Sequence, residues 1–134
     1  MEQIGSQFEA LGYTVIRKVS GADGVLMARH RKKKNMALRM RNGSVLCTSI
    51  FHSTDFAKED RAGYLDFINA VNQEVAIARV YADYEADLLF EAWLPDKLDI
   101  TTLGTFLELW NDDIDQLLTG NALQAAKYLI EPLP

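Results

Sequence analysis

The chain has 134 residues, of which 49% are hydrophobic and 25% charged, and it contains a single cysteine. These values fit one globular domain over residues 1–134 and exclude a disordered or fibrous protein and an internal disulfide. The net charge of −5 argues against a nucleic-acid binder.

The first ten residues, MEQIGSQFEA, lack the basic flank and the apolar run of a signal peptide. No apolar run reaches the roughly 18 residues that a transmembrane helix requires. We therefore expect a cytoplasmic protein that does not bind a membrane.

A short helix and two strands are predicted at the start of the chain. Apolar residues recur at helical spacing over residues 4–11, and Gly12 suits the left-handed conformation just after a helix end. Strands are predicted over residues 13–19 and 25–31, and the two glycines of residues 20–24 favour a tight turn between them.

The dipeptide Asn42-Gly43 predicts the next hairpin, because both residues tolerate the positive φ angles of a type I′ turn. A two-residue loop pairs Met40 with Val45 and Leu38 with Cys47. Cys47 is therefore expected on the core face, as a small buried hydrophobe rather than a reactive thiol.

Positive charge is concentrated early in the chain: residues 1–41 hold nine Lys and Arg against three Asp and Glu. The densest part, the basic turn of residues 29–34, is either a solvated hairpin tip or an anion-binding site. Its candidate anion-binding residues are Arg29, Arg31, Lys32, Lys33 and Lys34. His30 and His52 lie on different elements without further ligands at metal-binding spacing, so no metal site is predicted.

A central helix is predicted next, because Tyr64, Phe67, Ile68 and Val71 have the spacing i, i+3, i+4, i+7. The polar residues before it offer candidate N-caps, which are Ser53, Thr54 and Asp55.

A second hairpin is predicted from strands over residues 75–82 and 87–94, where the period changes to two. A connecting loop of odd length would place Arg79 opposite Glu91 and direct Phe90 to the core, whereas a loop of even length would shift this match. The other face carries apolar residues that call for a dimer or partner contact: Ile77, Tyr81, Leu89 and Trp93.

A long helix capped by Thr101 or Thr102 is predicted near the end, followed by a shorter helix over residues 122–130. Its apolar face contains Leu103, Phe106, Leu107, Trp110, Ile114, Leu117 and Leu118. Its opposite face carries Glu108, Asn111, Asp112, Asp113, Asp115 and Gln116, and lacks calcium-loop spacing, which favours a solvated surface.

These elements predict an α+β fold in the order α-ββββ-α-ββ-α-α, with an antiparallel sheet of five or six strands and helices packed on one face. No cofactor motif occurs, Asp87 and Glu91 lack a pocket for paired-carboxylate catalysis, and no G-x-S-x-G elbow supports serine catalysis. The sequence therefore does not indicate an enzyme.

Three stretches resemble the YbjN-like, or bacterial sensory transduction regulator, family, which has a type III secretion chaperone-like fold. Residues 64–72 match its F-[LI]-N-x-x-N helix, residues 78–88 its R-x-Y strand with an acidic hairpin, and residues 106–114 its F-x-x-[LF] helix. The resemblance covers about residues 45–118 and excludes the basic turn. It implies a homodimer that binds polypeptide segments, and it supplies no active-site residues.

Two functions follow as hypotheses. The first is a protein-binding module, chaperone-like or regulatory, that holds a partner segment in a groove or at a sheet edge. The second is a small-molecule or anion sensor that uses the basic turn.

Overall fold

The computed structural model describes residues 2–17, 24–95 and 98–130. The elements are α1 (Glu2–Ala10), β1 (Thr14–Ile16), β2 (Val25–Arg29), β3 (Met36–Arg41), β4 (Ser44–Phe51), α2 (Asp55–Glu59), α3 (Arg61–Glu74), β5 (Arg79–Ala82), β6 (Leu88–Trp93), α4 (Ile100–Asp115), a π-helical turn (Gln116–Gly120) and α5 (Ala122–Tyr128). The strands form a six-stranded antiparallel sheet in the order β1-β2-β3-β4-β6-β5. The predicted α+β class is confirmed, with α2 as an additional helix.

The residues group into two compact units, one from residues 1–49 and 92–108 and the other from residues 50–91 and 109–133. In sequence the first unit carries ten Lys and Arg against six Asp and Glu, and the second carries four against thirteen. The first unit is basic and the second strongly acidic. That the whole chain is one domain stays a prediction.

In the first unit α1 packs against β1 and β2. Phe8 is fully buried and meets the ring of Tyr13 edge-on at 5.3 Å between centroids. Gly12 has a φ of 96°, so the left-handed residue predicted after the helix is confirmed. The turn predicted over residues 20–24 lies largely outside the described residues.

The β3–β4 hairpin follows its turn chemistry. Asn42 and Gly43 have φ angles of 51° and 81°, as a type I′ turn requires. Met40 pairs with Val45 and Leu38 with Cys47, in the predicted register. Cys47 is fully buried, and burial raises the pKa of its thiol.

In the second unit the predicted caps of the central helix are wrong. Helix α3 is capped by Asp60, whose carboxylate accepts from the backbone N–H of Gly63 at 3.2 Å and from the hydroxyl of Tyr128 at 2.8 Å. A Cβ atom at Gly63 would overlap both groups, so a larger residue here would have to displace the Asp60 carboxylate and the Tyr128 hydroxyl. Thr54 precedes the separate helix α2, and its hydroxyl donates to the carbonyl of Lys127.

The apolar face predicted for the central helix is confirmed, since Tyr64, Phe67, Ile68 and Val71 are all buried. The rings of Tyr64 and Phe67 lie 5.5 Å and 5.7 Å from that of Tyr128 in α5. This aromatic cluster joins α3 to α5.

The long helix also buries its predicted apolar face, apart from the half-buried Leu118. Trp110 meets Phe90 of β6 edge-on, with centroids 5.0 Å apart, as expected from the faces assigned to both elements. The threonine caps are wrong: the backbone N–H of Thr102 donates to the Asp99 carboxylate at 2.7 Å. That bond lowers the pKa of Asp99.

Candidate functional site

The β5–β6 hairpin has the predicted register. Arg79 lies opposite Glu91 and Tyr81 opposite Leu89, and an odd number of residues, 83–87, connects the strands. We call residues 83–87 the acidic turn, because their sequence is DYEAD. The Asp83 carboxylate accepts from two backbone N–H groups within it, those of Glu85 at 2.9 Å and Asp87 at 3.0 Å. These bonds hold the turn in one shape.

Asp87 ties the acidic turn to the end of β4. Its carboxylate accepts from the backbone N–H of Ser53 at 3.0 Å and lies 3.2 Å from Nδ1 of His52. Burial by itself would raise the pKa of Asp87, but the bond from Ser53 and the neighbouring His52 lower it below its ordinary value. The carboxylate lies between serine and histidine, whereas in a catalytic triad the histidine is central. The arrangement is therefore a structural contact that fixes the acidic turn to the end of β4. The sequence did not predict that a carboxylate would lie beside His52.

The predicted pair of Arg79 and Glu91 forms the centre of the outer hairpin surface, by which we mean Arg79, Tyr81, Leu89 and Glu91. Oε1 of Glu91 accepts from Nη2 of Arg79 at 2.8 Å and from the Tyr81 hydroxyl at 2.9 Å. The Arg79 guanidinium lies 5.7 Å from the centre of the Tyr81 ring. Glu91 is only 6% exposed although it points away from the core. The cluster therefore holds these side chains in fixed positions.

Three of the residues predicted to contact a partner lie on this hairpin. Tyr81 is 38% exposed, Leu89 is half-buried, and Trp93, farther along β6, is 47% exposed. Ile77 is half-buried and precedes β5.

The strand predicted to start at residue 75 begins only at Arg79, because Asp113 takes the backbone donors before it. The Asp113 carboxylate accepts from the N–H groups of Ala76, Ile77 and Ala78 at 2.7, 2.8 and 3.0 Å. Asp113 is buried, so its assignment to a solvated acidic surface is also wrong. The three hydrogen bonds to this carboxylate offset the cost of burying it.

Strand β5 is an edge strand of the sheet, yet the backbone groups of Val80 at its outer edge are hydrogen-bonded. The amide side chain of Asn72 donates to the Val80 carbonyl at 2.8 Å and accepts from the Val80 N–H at 2.9 Å. Asn72 is the last asparagine of the F-[LI]-N-x-x-N pattern. It imitates a neighbouring strand, so an added strand would have to displace it.

A groove of about 680 Å³ opens beside the acidic turn. It is lined by Arg61, Tyr81, Ala82, Asp83, Tyr84 and Leu89. The side chain of Tyr84 is fully exposed. Sequence reasoning found Tyr81 and Leu89 but missed Arg61 and Tyr84, since nothing in the pattern indicates that the start of α3 lies beside the turn.

At the basic turn Arg29, Arg31, Lys32 and Lys33 are exposed, whereas Lys34 is half-buried and burial lowers its pKa. His30 packs edge-on against Tyr13 with 5.0 Å between centroids. Its Nδ1 accepts from the backbone N–H of Lys32 at 3.0 Å. Anion binding here stays a prediction.

Two further features concern the described part of the chain only. There, no three His, Cys, Asp or Glu residues come together in a way that could hold a metal ion. Nor does any helix in those ranges have the length and apolar character needed to cross a bilayer.

This combination of sheet and helices defines an α+β protein with a YbjN-like, type III secretion chaperone-like fold. The chain is similar to the crystal structure of YbjN, a proposed transcription regulator from E. coli, with a TM-score of 0.72 and 11% identity over 97% of this chain and 95% of that one. It is also similar to SpcU in the heterodimeric ExoU–SpcU complex from the type III secretion system of Pseudomonas aeruginosa. There the TM-score is 0.60 and the identity 17%, over 86% of this chain and 94% of that one. No protein-family model and no curated protein matches the sequence.

Proposed function

We propose that the chain is a non-enzymatic protein-binding module, chaperone-like or regulatory, that holds a polypeptide segment of a partner. The observation that carries the proposal is the groove beside the outer hairpin surface, with Tyr81, Leu89 and the fully exposed Tyr84 in its lining. Tyrosines are typical anchors of protein interfaces, and the hydroxyl of Tyr81 is held by Glu91. The fold adds support by analogy, since SpcU forms a complex with ExoU.

The hydrogen bonds at the hairpin favour one mode of binding. Asn72 occupies the edge of β5 at Val80, and Asp113 occupies the N–H groups that precede the strand. A partner therefore contacts the side chains of the groove rather than adding a strand at this edge.

Affinity capture with matched variants tests the proposal. Native protein and a variant with Tyr81→Ser and Tyr84→Ser are used to capture proteins from the native cytoplasm, and mass spectrometry identifies them. We expect a polypeptide in stoichiometric amount with native protein and its loss with the variant. Circular dichroism spectra of the two proteins establish that the variant is folded.

A third protein, with Lys32, Lys33 and Lys34 changed to serine, separates the two hypotheses. It should capture the same polypeptide as native protein if the groove is the site. Loss of capture by the lysine variant alone would contradict the proposal and favour an anion-binding role for the basic turn, four of whose five cationic side chains are exposed.

We further propose that the chain forms a homodimer, because the hairpin face predicted to carry Ile77, Tyr81, Leu89 and Trp93 leaves 38% of Tyr81 and 47% of Trp93 exposed. Sedimentation of native protein and of Trp93→Glu tests this idea. A native dimer that the charge converts to a monomer is the expected result. Leu123→Glu is the control, since Leu123 is even more exposed but lies on α5. A monomeric native protein would rule out the dimer.

A further inference from the structure

We propose that the groove beside the acidic turn takes a polypeptide segment in which an apolar side chain is flanked by lysine or arginine. This inference rests on the proposed function and names the chemical class of the partner. It follows from the shape of the groove, the charges around it and the position of Arg61 in its lining.

The apolar part of the segment is set by the groove itself. Tyr81, Ala82 and Leu89 supply an aromatic and aliphatic surface, and Tyr84 stands beside it, fully exposed. The volume of about 680 Å³ exceeds that of one side chain and suits a short segment. Because the hydrogen bonds of Asp83 hold the backbone of the turn that carries Tyr84, little ordering of this backbone is needed when a ligand binds.

The basic part is set by the charges. Asp83 lines the groove and Glu85, two residues later, is exposed. Asp87 adds a third carboxylate to the turn, although Ser53 and His52 already engage it. The unit that contains the groove has thirteen acidic against four basic residues in sequence. Its field attracts cationic segments and repels acidic ones.

Arg61 makes this assignment testable, because among the described residues it is the one cation that lines the groove. If the occupant is basic, Arg61 opposes binding and its removal should tighten the complex. If the occupant instead presents a carboxylate, Arg61 is the group that binds it and its removal should weaken the complex. The sign of the Arg61 effect therefore identifies the class of occupant.

Fluorescence anisotropy with three labelled peptides of equal length provides the measurement. Each peptide has a central phenylalanine, which is flanked by lysines, by serines or by glutamates. We expect the lysine peptide to bind most tightly and the glutamate peptide most weakly. Glu85→Gln should weaken the lysine peptide about two- to fivefold and Arg61→Ala should tighten it by a similar factor, as for single charges at an exposed rim.

The control Asp112→Asn removes an exposed carboxylate of α4 and should leave the affinity unchanged. Tightest binding of the glutamate peptide, or a weakening by Arg61→Ala, would overturn the inference in favour of a carboxylate-bearing segment. Equal affinities for all three peptides would overturn the inference that the segment is basic. The proposed function would then be tested by the capture experiment alone. If none of the peptides binds but capture still depends on Tyr81 and Tyr84, the partner class is wrong and the protein-binding role stands.

Discussion

The two hairpins β3–β4 and β5–β6 are held in different ways. The first has a two-residue turn, Asn42-Gly43, whose φ angles are both positive and whose geometry sets the pairing. The second has a five-residue connection and depends on side chains from other elements. Asn72 accepts from the backbone N–H of Val80 at the outer edge of β5, and Asp113 accepts from the backbone N–H of Ile77 just before β5. A hairpin of the first kind can be specified locally, whereas one of the second kind takes its shape from the surrounding fold. The candidate site lies on the second.

The largest effect expected from this comparison is at the core of the second hairpin. Phe90 is fully buried against Trp110, so Phe90→Ala should lower the free energy of unfolding by about 3–5 kcal/mol. Tyr84→Ala on the same hairpin is the control and should change it by less than about 0.5 kcal/mol, because Tyr84 is exposed. Urea denaturation measures both. A loss below about 1 kcal/mol for Phe90→Ala would mean that the core face and the outer face of β6 are assigned the wrong way round.

Removing the acceptor at the entry to β5 should have the next largest effect. Asp113→Ala leaves three backbone N–H groups without their acceptor and should cost about 2–4 kcal/mol. Asp112→Ala, an exposed neighbour on the same helix, should cost less than about 0.5 kcal/mol. Amide hydrogen exchange at Ala76, Ile77 and Ala78 should also accelerate in Asp113→Ala. Equal stability of the two variants would show that the second hairpin does not need this contact.

A smaller effect is expected at the turn of the first hairpin. Gly43 has a φ of 81°, so Gly43→Ala should destabilise the protein by about 1–2 kcal/mol. Gly104→Ala is a matched control of opposite sign, because Gly104 lies in α4 with open space around its Cβ position. It should stabilise the protein by up to about 1 kcal/mol. Thermal unfolding distinguishes the two, and a neutral Gly43→Ala would show that the turn does not set the pairing.

The smallest effect is expected at the basic turn. Changing Lys32, Lys33 and Lys34 to serine should alter the free energy of unfolding by less than about 0.5 kcal/mol, since Lys32 and Lys33 are exposed, Lys34 is only half-buried, and neighbouring like charges contribute little. Thermal unfolding at low and high salt provides the measurement. A fall of several kcal/mol would show instead that these lysines stabilise the folded protein by neutralising acidic groups.

The same contrast explains what the sequence could predict. The register of β3–β4 follows from Asn42-Gly43, and that of β5–β6 from a connection of odd length that places Arg79 opposite Glu91. Asp113 escaped prediction because it looks like the other carboxylates of its helix face. Its donors lie 35 to 37 residues earlier in the chain.

The N-cap of α3 also depends on a residue that is distant in sequence, so it too could not be predicted. Asp60 works because Gly63 leaves room for its carboxylate beside the Tyr128 hydroxyl, which lies 68 residues away. At the candidate site, periodicity identified Tyr81 and Leu89, which lie on the hairpin strands. It could not identify Arg61, which reaches the groove from the first turn of α3.

The burial of Cys47 gives the protein a built-in reporter of its own opening. The chain has one cysteine, and its thiol is both enclosed and held in the unreactive protonated form. A thiol reagent can modify it only when β4 separates from its neighbours, so the labelling rate follows the opening of the sheet. Each molecule then gains a single mass tag. Because this labelling needs no denaturant, any ligand that binds the closed protein would lower the rate at which Cys47 is labelled.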